Sequence, residues 1–101
     1  MIIYNITTQL SWPIHDAWLE WMKLEHIPQI MQTGKFSKYY FSRLQDVEEE
    51  QGPSYSLQFF AENREEVDQY IANYAPALRN RSFEKWGDQF FSFRTMMEVI
   101  N

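Results

Sequence analysis

Glu25 and His26 are the first residues in which to look for acid–base chemistry. If the helical register of Ile14, Trp18 and Trp21 continues, Glu25 falls on the same apolar stripe, where a carboxylate is costly unless a partner or water meets it. Two readings stand open. Either the helix loosens before Pro28 and Glu25 reaches solvent or a basic residue, or Glu25 lines a cavity between helix and sheet and serves as acceptor or base. His26 lies just before the proline, where a helix end opens into a pocket, and apart from His15 it is the only side chain with an ordinary pKa near neutrality. Its plainer role is a hydrogen bond to helix-end backbone. Sequential residues diverge by about 100° on a helix, so Glu25 and His26 are separate candidates and not a pair. His15, beside Asp16 in the first turn of the same helix, is expected at the surface.

Tyr4, Trp21, Arg43 and Arg94 are the ligand-binding candidates. Arg94 and Glu98 stand four apart on the last strand, and Arg43 sits on the second. Charges on an aromatic sheet face must be paired or wet, so the plain expectation is that Arg43 or Arg94 pairs with Glu98; the alternative is an anion-binding cleft. Trp12, Trp18, Trp21 and Trp86 read as core and interface anchors. Two histidines without acidic partners at ligand spacing make no metal site. No G-x-S-x-G occurs, Ser54, Ser82 and Ser92 have no paired histidine in view, and the isolated Gly34, Gly52 and Gly87 build no phosphate loop. No cofactor is therefore expected.

Composition narrows the classes further. The absence of cysteine removes disulfides, thiolate nucleophiles and cysteine-ligated metals. Nine Lys and Arg against fourteen Asp and Glu give a net charge of −5, and without a clustered basic surface nucleic acid is disfavoured as a partner. Residues 1–10 carry no basic leader and no apolar run approaches the roughly 20 residues of a membrane span, so a soluble cytoplasmic protein with no membrane partner is expected.

The elements that must position these residues follow from periodicity. Residues 2–10 alternate Ile2, Tyr4, Ile6, Thr8, Leu10 against Ile3, Asn5, Thr7, Gln9, the period of a strand with one strongly apolar face. Ser11 and Pro13 open a helix that carries Ile14, Ala17, Trp18, Trp21 and Met22, is interrupted at Pro28 and is closed by Gly34. Residues 35–46 and 55–61 read as strands joined by the acidic turn 46–53, a hairpin whose charged tip is solvated. Asn63 with Glu66 predicts a helix N-cap, Val67, Tyr70, Ile71, Tyr74 and Leu78 give the stripe, and Pro76 interrupts near the end. Residues 88–99 form the last strand. The order β-α-β-β-α-β predicts an α+β, ferredoxin-like fold over a single domain, residues 1–101, with a four-stranded antiparallel sheet and both helices on one face.

Adjacent aromatic pairs such as Phe59 and Phe60 or Phe90 and Phe91 must point to opposite sides of a sheet. The helices are expected to cover Ile2, Tyr4 and Ile6 together with Phe91, Phe93, Met97 and Val99, which leaves Phe90, Met96 and members of the other pairs on a second apolar face. Each buried aromatic contributes on the order of 2 to 3 kcal/mol, so a homodimer through that sheet face is expected, with cover by residues 80–87 as the alternative. Here Tyr4-Asn5-Ile6-Thr7, Trp18-Leu19-Glu20-Trp21-Met22, Glu25-His26-Ile27-Pro28, Tyr74-Ala75-Pro76-Ala77-Leu78 and Phe93-Arg94-Thr95-Met96-Met97-Glu98-Val99 carry a likeness. Across essentially the whole chain the sequence resembles the bacterial family catalogued as domain of unknown function 4286. The resemblance implies a dimeric α+β barrel, similar in architecture to small cofactor-independent monooxygenases, haem-degrading enzymes and chlorite-dismutase-like proteins. It implies no activity. The expectation is a small homodimeric binding or unassigned module. The alternative is a cofactor-independent monooxygenase-like or haem-binding enzyme acting on a small aromatic ligand in a helix–sheet cavity near Glu25 and His26; a sizeable pocket lined by either residue would favour this enzyme, and a filled interior the binding module.

Overall fold

In the computed structural model, which describes residues 1–101, the alternating segment at the N-terminus becomes the central strand β1 (Ile2–Leu10). It pairs antiparallel with both β3 (Ser54–Ala61) and β4 (Phe90–Glu98), and β2 (Lys38–Arg43) closes the sheet in the order β2-β3-β1-β4. This is the ferredoxin-like α+β arrangement. β2 is shorter than the expected 35–46, because Phe36 turns into the core and the chain leaves the sheet at Leu44 for the acidic turn.

The first connection is helical from a 3-10 turn (Trp12–Ile14) through α1 (His15–Trp21), a π-helical turn (Met22–His26) and α2 (Ile27–Met31). Pro28 was expected to interrupt this helix and does not. The wide turn absorbs it: the Ile27 N–H donates to the Met22 carbonyl, five residues back, and Pro28 then sits in the first turn of α2, where its missing N–H costs little. A π turn inserts one residue into the helical phase. The buried stripe therefore runs Ile14, Trp18, Met22, His26, Ile30, and Glu25 is displaced to solvent.

The second connection is two helices. α3 (Arg64–Asn73) starts at Asn63, whose Oδ1 accepts the Glu66 N–H at 3.0 Å, as the spacing predicts. The Glu66 carboxylate does not reach back to complete a capping box but lies 3.6 Å from Lys35 Nζ. Pro76 was expected near the end of this helix. Instead the chain bends at Tyr74 and Pro76 falls in the first turn of α4 (Ala75–Trp86). Residues 80–87 thus belong to a helix on the same side as α1 and do not cover the back of the sheet. All four helices lie on the face carrying Tyr4, Leu10, Tyr55, Leu57 and Phe59, where Trp18, Ile27, Ile30, Val67 and Tyr70 complete the core.

The expected faces of β4 are reversed. Tyr4 lies opposite Met96, Ile6 opposite Arg94 and Leu10 opposite Phe90, so Phe90, Ser92, Arg94 and Met96 share the helix side. Phe91, Phe93 and Met97 lie on the outer face. Both alternating sets of this strand are partly apolar, and only the ladder register chooses between them. The outer face is also less apolar than expected. Its centre carries Asn5, Thr7, Ser56 and Gln58, with Ser56 Oγ donating to Asn5 Oδ1 at 2.7 Å, and its aromatics are confined to the flanks: Phe91, Phe93 on one edge and Tyr40, Phe60 toward the other.

Candidate functional site

α4 packs mainly on α3 and stands away from β4, the edge strand. The helix side of β4 is consequently uncovered, and a cavity of about 410 Å³ opens between the sheet and the helices. Its volume is in the range of small-molecule sites. Trp18, Phe41, Tyr55, Leu57, Tyr70 and Phe90 supply flat apolar walls.

The polar groups of the cavity arise from residues in otherwise apolar rows. Tyr4 projects from the centre of β1, and its hydroxyl accepts a hydrogen bond from Arg94 Nε at 3.0 Å across the β1–β4 ladder. Thr8 and Ser92, opposite one another on the same ladder, share a hydrogen bond of 2.7 Å. Tyr55 forms a 2.6 Å hydrogen bond with His15 Nε2, so His15 is half-buried at the back of the wall and is not the free surface residue expected of it. Burial, with the Tyr4 hydroxyl adding to it, pushes the Tyr70 hydroxyl well above the ordinary tyrosine range, and both Arg94 and Arg79 act on it in the opposite direction. Arg79, on α4, joins Arg94 in the lining.

His26 is brought into the cavity wall by the π turn. Its ring stacks on Trp21 with centroids 4.6 Å apart and planes 20° from parallel, and Trp86 packs edge-on behind Trp21. Desolvation, with the positive charge of Arg81 adding to it, lowers its pKa from 6.5 to about 4, so the imidazole is neutral at pH 7. The expected hydrogen bond to helix-end backbone is absent: His26 Nδ1 is buried without a partner, as is the Trp86 indole N–H.

Of the residues singled out from the sequence, Tyr4, His26 and Arg94 meet at one cavity and the other three do not. Glu25 is exposed on the outer groove beside Leu24 and Lys85. Trp21 backs His26 and faces that same groove. Arg43, on the far edge strand, is held by Glu49 at 3.0 Å and lies over the Trp12 ring. Neither arginine pairs with Glu98. The sequence reading missed Thr8, Tyr55, Tyr70, Ser92 and Arg79. A signal existed for Arg79, four residues after the buried Ala75 on the helix, and for Ser92, a polar residue within an aromatic run. No group of three His, Asp or Glu residues is placed to hold a metal ion, and no helix is long and apolar enough to cross a membrane.

Solved structures share this fold at low sequence identity. An ethyl tert-butyl ether D (EthD) family protein from Bacillus halodurans C-125 superimposes with a TM-score of 0.70 at 13% identity, over 99% of this chain and 100% of that one. A dimeric ferredoxin-like protein from an uncultured marine organism gives 0.69 at 15%, over 100% and 96%. A candidate antibiotic biosynthesis monooxygenase from Nitrosomonas europaea gives 0.67 at 9%, over the whole of both chains. No curated protein matches the chain. In sequence, residues 1–100 match the family described as a domain of unknown function, DUF4286.

Proposed function

The chain belongs to the DUF4286 family, whose description assigns no activity, and from that premise we propose a cytoplasmic, homodimeric binding module that takes a small aromatic molecule in the cleft. Residues 1–101 act in it as one ferredoxin-like domain. The observation that carries this reading is the 410 Å³ cavity itself, walled by aromatic rings and bearing a few convergent polar groups. The filled interior expected of a binding module is not found, and His26 lines the pocket, the feature expected of the enzyme; the chemistry of the wall nonetheless favours binding over catalysis. His26 is neutral and has no carboxylate to pair with, and Glu25, the other acid–base candidate, is outside. Calorimetric titration with 2-naphthol tests it: saturable binding is expected, weakened about tenfold or more in Ser82→Trp, whose indole would occupy the cleft. Absence of binding, or binding indifferent to that substitution, overturns the reading. A Soret shift on addition of hemin that disappears in His26→Ala would overturn it in favour of a haem site.

The dimer is supported by the outer sheet face. Phe91 and Phe93 are 60% and 55% exposed there and Tyr40 is 55% exposed, more aromatic surface than an isolated sheet keeps in water without cost. Similar structures, such as that of the marine protein, are described as dimeric. The two outer faces pack together, with the aromatic flanks as anchors and the Asn5, Thr7, Ser56, Gln58 centre as a polar middle. Light scattering at micromolar concentration is expected to give a dimer for the native chain and a monomer for Phe93→Asp, which sets a carboxylate against an apolar surface. A native monomer would remove the proposal.

A further inference from the structure

We propose that the cleft selects aromatic molecules that carry a carboxylate, bound at Arg94 and Arg79, an inference that rests on the cleft being the ligand site argued above. The chain is acidic, with fourteen Asp and Glu, yet the cavity lining holds two arginines and not one carboxylate. The ion pairs of Lys35, Arg43 and Arg64 are all made elsewhere, with Glu66, Glu49 and Asp68. Arg94 and Arg79 have no acidic partner within 4.0 Å, so positive charge faces the cavity uncompensated. The single side-chain hydrogen bond of Arg94 runs from Nε to the neutral Tyr4 hydroxyl. That bond orients the guanidinium and leaves both Nη groups free, the pair of donors that matches the two oxygens of a carboxylate. Both arginines line the same cavity as Tyr70.

The test compares 2-naphthoate with 2-naphthamide, which has the same shape without the charge, in calorimetric titrations. The naphthoate is expected to bind about tenfold tighter or more, the scale of a hydrogen bond to a charged group. Arg94→Met should reduce the ratio to near one, Arg79→Met should lower it partly, and Arg43→Met, outside the cleft, should leave it unchanged. Arg94 is exposed, so the variant's fold can be verified by circular dichroism before titration. Equal binding of the two compounds to the native chain overturns the carboxylate preference while leaving the aromatic cleft standing. An effect of Arg43→Met as large as that of Arg94→Met overturns it too, since the preference would then follow net charge. Binding of neither compound overturns both this inference and the reading beneath it.

Discussion

Gly52→Ala is expected to destabilise the fold by about 3 to 5 kcal/mol, measured as the loss of unfolding free energy in urea. A Cβ at this position would lie 1.5 Å from the Leu10 carbonyl oxygen, 2.7 Å from its carbon and 3.1 Å from Ser11 Cα. These are backbone atoms, which cannot swing aside as a side chain does. To relieve the overlap the Gly52–Pro53 turn must lift from the end of β1, and that breaks the hydrogen bond from the Leu10 N–H to the Pro53 carbonyl, 3.2 Å long. Tyr55 follows two residues later, so the far wall of the cleft loosens with it. Gly34→Ala is the control: its backbone has φ of 75° but nothing lies within 4 Å of an added Cβ, so only conformational strain of about 1 to 2 kcal/mol is expected. A loss below about 1 kcal/mol in Gly52→Ala would contradict the close packing of β1 on the turn.

Acidification is expected to remove about 3 kcal/mol of stability through His26 alone. Its folded pKa of about 4 is below the unfolded 6.5, so between these values the unfolded chain binds more protons than the folded one. The associated stability is complete above about pH 6.5 and is lost as the pH falls toward 4. Acid acts on the rest of the chain as well, so the effect is read as a difference. The stability of the native chain minus that of His26→Phe, which keeps a ring to stack on Trp21, should fall by about 3 kcal/mol from pH 7 to pH 4. A difference that stays constant with pH would mean that the imidazole is solvated in the folded protein.

The elements were legible in the sequence where one signal stood alone. The alternation of Ile2 to Leu10 gave the central strand, and Asn63 three residues before Glu66 gave the start of α3, because strand period and cap chemistry are local properties. Phase was not legible. In β4 both Phe91, Phe93, Met97 and Phe90, Met96 are plausible inward sets, and the choice belongs to the pairing with β1. In the first helical run Pro28 was visible, but its accommodation by a π turn, which exchanges Glu25 for His26 on the buried stripe, depends on how the segment seats on the sheet. The same limit applies to the cleft. Tyr4, His26 and Arg94 could be named by residue type, whereas the Arg94–Tyr4 bond, the Thr8–Ser92 pair and the missing carboxylates appear only once the strands are in register and α4 stands clear of β4.

The claim that this cleft is the binding site is tested most directly by mapping amide chemical-shift changes as 2-naphthoate is added to the isotope-labelled protein. Shifts centred on Tyr4, Thr8, Tyr70, Ser92 and Arg94, all in the cavity wall, are predicted. Shifts centred instead on Tyr40, Gln58 and Phe93, on the outer face of the sheet, would contradict it.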